Sequence, residues 1–242
     1  MGGKVNAAKK AAGMVEDCSV IGIGSGTTIE IFLEELGRRI KEEELTVYGV
    51  PSSYQSHLAA LKNGVKIVDL FQYPELDICF DGADQVDENF NCIKGGGAAL
   101  TREKIVATAS KKVYIIVDSS KIVERLNMPV PIEVLPFACG FVEKKLAEIG
   151  KPVIRTGSGK LGPVVTDNGN FIIDCDFGEI KKPEELEREI DEIPGVVESG
   201  IFCSKLIDGV IAGYENKAEI LKGKIRHQTQ RGKNLSSHTF KP

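Results

Sequence analysis

The stretch ICFDGADQVDENFNCIKGGGAALTREKIV, Ile78–Val106, decides how the rest of the chain is read. Ile78–Phe80 is an apolar run suited to the end of a buried strand. Two carboxylates follow, Asp81 and Asp84, and a polar loop leads to Lys94. Gly95, Gly96 and Gly97 permit backbone angles closed to other residues and let a ligand approach closely. A helix then begins at about Ala98. Placed at 100° per residue, Ala99, Leu100, Glu103, Val106 and Ala107 share one arc of about 120°, with Glu103 near its centre and Arg102 and Lys104 at its edges. A carboxylate on an apolar face is unusual, because burying an unpaired charge is costly. Taken alone, Glu103 reads equally well as a partly buried acid paired with a neighbouring Lys or Arg. Its company favours a site: three acids, a lysine and a glycine hinge converge in one short segment.

Outward from this segment, strands and helices alternate. Ala7–Val15 suits a helix, Ser19–Ile23 a strand, Thr28–Ile40 an amphipathic helix, Leu45–Val50 a strand, Tyr54–Lys62 a helix and Lys66–Val68 a strand. Val113–Val117, after the Ala98–Ala109 helix, is apolar on both faces, as in a parallel sheet. This order predicts a doubly wound, Rossmann-like α/β domain. Pro129, Pro131 and Pro136 then mark a boundary. Beyond it, Phe137–Ile149 reads as a helix, Val153–Thr156 as a strand, Pro163–Asp174 as a hairpin turning at Asn168-Gly169, and Pro183–Ile190 as a helix with proline at its start. Gly200–Cys203 and Val210–Ala212 return to the first sheet. The expected organisation is residues 1–127 plus 199–222 as the α/β domain, 128–198 as a small inserted α+β domain, and 223–242 as a basic, disordered tail.

Composition narrows the class. With 42% hydrophobic and 27% charged residues, the 242-residue chain is an ordinary globular protein. No apolar run approaches ~18 residues, so no transmembrane helix is expected. The first residues lack a signal-peptide core and a myristoylation pattern. Six scattered cysteines without a C-x-x-C pair indicate reduced thiols and a cytoplasmic protein, and no zinc site. The net charge is −4, but Leu221–Pro242 holds six Lys/Arg and no Asp/Glu, leaving 25 basic against 35 acidic groups on the preceding residues. That balance disfavours nucleic acid as a partner of the main fold. An anionic substrate would need a local positive site.

The chemistry lies at strand ends. Gly22-Ile-Gly-Ser-Gly-Thr-Thr28 joins a strand to a helix and offers freed amides, the hydroxyls of Ser25, Thr27 and Thr28, and a helix N-terminus, all favouring phosphate. It is neither a Walker loop nor the dinucleotide fingerprint, and it could instead be a hydroxyl-capped turn. Asp81 stands where a strand ends, the location of sites in open α/β sheets. Asp81 and Asp84 could also form a solvated turn or a divalent-cation site, although the spacing with Asp87 is not a calcium loop. Lys121, closing the strand after Asp118, should face the same crevice, and Lys4 could reach it. His57, His227 and His238 lie in none of these segments, which leaves acid–base work to carboxylates and lysines.

Together, D-G-A-D-x-x-D, I-K-G-G-G-A-A-L-T-R-E-K-I, G-x-G-S-G-T-T and V-V-T-D-N-G-N closely resemble the type A ribose-5-phosphate isomerase family, in register from about Lys4 to Leu221. The resemblance implies a Rossmann-like domain with a small ferredoxin-like α+β domain, in a homodimer or homotetramer. It also implies interconversion of ribose 5-phosphate and ribulose 5-phosphate in the pentose phosphate pathway, without metal or organic cofactor; charge balance and the lack of a long apolar run leave no nucleic-acid or membrane partner expected. Carried across, Glu103 is the general base, and Asp81, Asp84 and Lys94 serve ring opening and the substrate oxygens. Ser25, Gly26, Thr27, Thr28, Gly82, Gly95, Gly96, Gly97, Lys121 and Lys4 hold phosphate or sugar hydroxyls, with Lys4 matched only by spacing. Two other readings stay open: a non-catalytic sugar-phosphate sensor, which would need the glycine loop but not Glu103, and an amino-sugar-phosphate deaminase or lactonase, which would call for a histidine base.

Overall fold

The computed structural model describes residues 2–222 except 158 and 160. The expectation of a disordered tail over 223–242 falls outside the described residues. In chain order the elements are α1 (Gly2–Ala12), β1 (Val20–Ile23), α2 (Thr27–Glu43), β2 (Tyr48–Pro51), α3 (Tyr54–Lys62) and β3 (Lys66–Ile67). Next come β4 (Ile78–Asp81), β5 (Gln85–Asp87), β6 (Cys92–Ile93), α4 (Leu100–Thr108), β7 (Val113–Asp118) and β8 (Ile122–Val123). The second half runs β9 (Val130–Val134), α5 (Cys139–Leu146), β10 (Lys151–Ile154), β11 (Phe171–Asp176), α6 (Pro183–Asp191) and β12 (Val196–Ser199). It closes with β13 (Ile201–Phe202), β14 (Gly209–Gly213) and β15 (Ala218–Lys222).

The main sheet has the order β15-β14-β7-β4-β1-β2-β3, parallel throughout except for the antiparallel edge strand β15. The chain starts at β1, winds outward to β3, then crosses back to β4. The order therefore reverses between β1 and β4, and the strands' carboxyl ends leave a crevice there. Apolar side chains fill both faces: Ile21, Ile23, Phe32, Leu36 and Phe80 in one cluster, Cys79, Val113, Ile115 and Val210 in another. Helix α1 lies on the sheet through Ala7, Ala8, Ala11 and Ala12, all buried, and Asn6 donates to the carbonyls of Tyr214 and Glu215 at 3.0 Å each. Small side chains let this helix sit close to β14, and it starts at Gly2, earlier than the expected Ala7.

The second sheet is antiparallel, in the order β10-β11-β9-β12. With α5 and α6 it follows the βαββαβ path of a ferredoxin-like unit. Its strands are drawn from residues 130–199. Pro131, read as punctuation, lies inside β9. Pro131 offers no N–H to the ladder, but Gly200, just past the end of β12, is left with no unpaired group: its amide donates to the Pro131 carbonyl at 2.7 Å and its carbonyl accepts from the Lys94 amide at 2.9 Å. The expected Pro163–Asp174 hairpin is reduced to isolated bridges, while its turn is closed by Thr166 N–H to Asn170 O at 2.9 Å.

A third, small sheet, β13-β6-β5-β8, corrects two further expectations. The polar stretch after Asp84 forms the β5–β6 pair, and Ile201–Phe202 joins β6 there, not the main sheet. Val210–Ala212 does enter the main sheet, within β14. Cys79, Cys92, Cys139, Cys175 and Cys203 are buried free thiols and Cys18 is exposed. Among the described residues no helix is long and apolar enough to cross a membrane.

Candidate active site

The crevice at the β1/β4 reversal is a cleft of about 220 Å³. Its walls carry Lys4, Ser25, Thr27, Thr28, Asp84, Lys94, Glu103 and Lys121, with Gly26, Gly82 and Gly95–Gly97 between them. Every residue singled out from the sequence lines it except Asp81.

Asp81 stands behind the wall. It ends β4 with 1% exposure, Lys94 follows β6 with 2%, and Glu103 sits in the first turn of α4 with 5%. The Lys94 ammonium donates to the Gly82 carbonyl at 2.6 Å and makes ion-pair contacts with Asp81 Oδ2 at 2.9 Å and Glu103 Oε2 at 3.2 Å. Asp81 Oδ1 accepts from the amides of Ser25 at 3.2 Å and Gly82 at 2.7 Å. The loop after β1 can approach this closely because Gly24 has no side chain: a Cβ there would lie 1.8 Å from Asp81 Oδ1. Asp84 Oδ2 accepts from the Gly96 amide at 2.8 Å. Gly95 takes φ +100° and is gripped from outside by Arg155, which donates to the carbonyls of Gly95 at 2.8 Å and Gly96 at 3.1 Å.

Two carboxylates and one ammonium in a nearly dry space carry a charge of −1, and the proton balance follows. Burial, then the neighbouring Asp81 carboxylate, pushes the Glu103 carboxyl up to about 8, against the pull of Lys94. Burial acts on Asp81 in the same direction. Asp81 keeps two amide donors as well as Lys94, so it is the member held ionised and Glu103 the one that titrates. Burial also opposes the charge on Lys94, but Asp81 and Glu103 outweigh it and hold the ammonium protonated.

The far end of the cleft is built for an anion. Lys4 Nζ reaches Thr27 Oγ1 at 3.3 Å, placing an ammonium at the N-terminus of α2, and Lys121 also lines the cleft. The Ser25 hydroxyl is already bonded to Ser52 at 2.8 Å and Ser53 at 2.7 Å, and the Gly26 amide to Gln55 at 3.0 Å.

Three residues around the site were not singled out in the sequence. Gly24 is inside the glycine motif but carries no chemistry of its own. Arg155 is far away in sequence. Phe202 lies under Lys94, with its ring centroid 5.1 Å from the ammonium, and Lys104 stands 5.0 Å from the same ring. No local pattern marks any of them. A larger hollow of about 500 Å³ borders Lys104, Glu187 and Glu198, but there the lysine is already paired with both glutamates, at 2.9 and 2.6 Å.

A buried, titrating glutamate beside a fixed ammonium, at the carboxyl edge of a doubly wound sheet and across from an anion cradle, defines an α/β enzyme of acid–base chemistry. Comparison with known proteins makes this specific. Residues 48–217 match the family model of ribose 5-phosphate isomerase A (phosphoriboisomerase A). Ribose-5-phosphate isomerase A of Archaeoglobus fulgidus is 61% identical over 222 residues, 90% of this chain and 98% of that one. The protein of the same name from Methanothermobacter thermautotrophicus is 49% identical over 90% of this chain and 97% of its own. The structure of ribose 5-phosphate isomerase A from Methanocaldococcus jannaschii superposes with a TM-score of 0.86 at 45% identity, covering 90% of this chain and 97% of that one. A D-ribose-5-phosphate isomerase solved in complex with phospho-erythronic acid superposes at 0.87 and 44% identity, with the same coverage. The chain belongs to the ribose 5-phosphate isomerase A family.

Proposed function

We propose that Glu103 is the base with which this aldose–ketose isomerase interconverts D-ribose 5-phosphate and D-ribulose 5-phosphate. The observation that carries the reading is the Glu103–Lys94 contact on the cleft wall, opposite the Lys4–Thr27 anion cradle. In the open-chain aldose, Glu103 takes the C2 proton, and the bond's electron pair makes an enediolate with negative charge at O1. The O2 hydroxyl proton passes to O1, and the same carboxyl returns its proton to C1 as the carbonyl forms at C2. One base on one face serves both transfers. Lys94 and the glycine-loop amides are the donors for the developing oxyanion, each such donor being worth about 10²–10³ in rate. Asp84 assists ring opening, while Asp81, absent from the cleft wall, acts by holding Lys94. Thr27, Thr28, Lys4 and Lys121 take the phosphate and so orient C1 and C2 against Glu103. Phospho-erythronic acid, bound by a structural relative, has a phosphate at one end and a carboxylate at the other, the charge layout of a phosphorylated enediolate.

The division into residues 1–127 with 199–222 and 128–198 is supported by sheet membership to within one residue, Ser199 pairing with Ile132 in the second sheet. A homodimer or homotetramer accords with exposed apolar side chains such as Phe137, at 101% on a single chain, and a cytoplasmic setting with the free cysteines. Light scattering on the purified protein tests the assembly. The function is tested by incubating the protein with ribose 5-phosphate in deuterated water. Ketose should form and deuterium enter the sugar; no ketose with tight binding would instead mean a sensor.

A further inference from the structure

The V-V-T-D-N-G-N turn takes no part in the cleft, and its place in the fold assigns it a task. At its centre is Glu133, a carboxylate in β9 with 0% exposure. It accepts from Thr166 Oγ1 at 2.8 Å, Asn168 Nδ2 at 3.0 Å and Asn170 Nδ2 at 2.8 Å, all in the turn. Its fourth donor is Thr101 Oγ1, at 2.6 Å, in the first turn of α4. All four donors are uncharged, so burial is offset by hydrogen bonds, and only a carboxylate offers acceptor sites for four donors with no donor of its own. Arg102, next on α4, fixes the turn from outside through Asn168 Oδ1 at 2.7 Å and the Asp167 carbonyl at 2.8 Å. Asp167 in turn accepts the Tyr54 amide at the start of α3, at 2.8 Å.

Thr101 and Glu103 are two residues apart, hence about 200° apart around the helix. Lys94 holds α4 on the Glu103 side and Glu133 holds it on the other. A helix gripped on opposite sides cannot roll, and a roll would carry the Glu103 carboxylate off the cleft wall.

We propose that Glu133 is a positioning residue of the isomerisation, acting through Thr101 to fix the rotation of α4 and so the aim of Glu103. The proposal rests on Glu103 being the base. Displacing a reacting group by about 1 Å can cost ~10²-fold. A substrate anchored by its phosphate would still bind, so the loss should fall on kcat.

The test is Thr101→Val, which keeps shape and removes one hydrogen bond, beside Thr101→Ser, which keeps the bond. Glu133→Gln and Glu103→Gln are measured in the same ribose 5-phosphate assay. Thr101→Val is expected to lower kcat by ~10-fold or more with KM within about twofold, Thr101→Ser to restore it, and Glu133→Gln to follow Thr101→Val. A Thr101→Val protein with wild-type kcat, whatever its melting temperature, overturns the proposal, as does a loss that Thr101→Ser fails to rescue. A Glu103→Gln protein with wild-type turnover instead removes the base assignment and the proposal with it.

Discussion

Lys94 Nζ lies 3.2 Å from Glu103 Oε2, and the two side chains are together almost closed to solvent. The pair sets a balance: the ammonium favours the ionised carboxylate, while burial and Asp81 favour the neutral one, and the second influence is larger. Glu103 is therefore a stronger base than an exposed glutamate, yet still able to lose its proton near neutrality.

Replacing Glu103 by Gln keeps the shape and removes the base. We expect turnover to fall by at least ~10²–10⁴ while KM for ribose 5-phosphate changes little, and solvent deuterium incorporation to fall in step. Retention of most of the rate would transfer the role of base elsewhere.

The pH profile has a defined sign. The ionised carboxylate is the active form, so kcat should drop as pH falls below about 8, where Glu103 takes up its proton. Asp81→Asn removes a neighbouring negative charge that pushes Glu103 up, so the acid-side midpoint should move to lower pH. Its maximal rate should fall too, because a weaker base abstracts the proton and Lys94 loses an anchor. A midpoint that stays in place or rises would contradict the electrostatic coupling.

Gly24→Ala tests whether Asp81 acts through its position. The new methyl would overlap Asp81 Oδ1 and force the carboxylate away from Lys94 and the Ser25 amide. Overpacking of this kind costs about 1–3 kcal/mol, so the variant should fold with a lowered melting temperature. Its kcat should fall by ~10² or more. Wild-type activity in this variant would show that Asp81 has room to move without consequence.

How much of this was legible in advance differs from residue to residue. Ile78–Phe80, the glycine motifs and the buried face of α4 follow periodicity and turn chemistry, and the structure places Leu100, Glu103, Val106 and Ala107 on one buried face. Tyr54–Lys62 is bounded as expected because Ser53 and Ser56 form a capping box. Strand β9 was hidden by Pro131, whose local meaning is a break and whose tertiary setting excuses it. Phe202 and Glu133, in strands, and Arg155, just past β10, reach the site's surroundings from positions remote in sequence, and pairing across such distances leaves no local pattern. Asp81 stands beside Lys94 in the structure, but its burial behind Lys94 depends on how closely the loop at Gly24 packs.

The anion cradle should act on binding more than on chemistry. Thr27→Val and Thr28→Val are expected to raise KM for ribose 5-phosphate several-fold with a smaller effect on kcat, and Lys4→Met to do the same. Unchanged KM in all three would place the phosphate elsewhere.

Chelation should leave activity intact. The three acids of D-x-x-D-x-x-D are engaged separately: Asp81 with Lys94, Asp84 with the Gly96 amide, and Asp87 with the Asn89 and Asn91 amides. Among the described residues no three His, Cys, Asp or Glu side chains converge as a metal site. Assays with EDTA and then added magnesium check this, and loss followed by recovery would overturn the metal-free mechanism.

The seating of α1 has a consequence for how the protein is made. Lys4, on the first helix, contributes to the cleft, but that helix rests on β14 and is tied by Asn6 to the carbonyls of Tyr214 and Glu215. A ribosome must therefore synthesise the chain as far as Glu215 before that face of α1 has its strand to dock against, although α2 is at hand much earlier. Glu103 and Lys94 emerge long before that point, yet a nascent or prematurely terminated polypeptide lacks the strand surface that seats Lys4 at the cleft, so the cleft is completed only with the last strands.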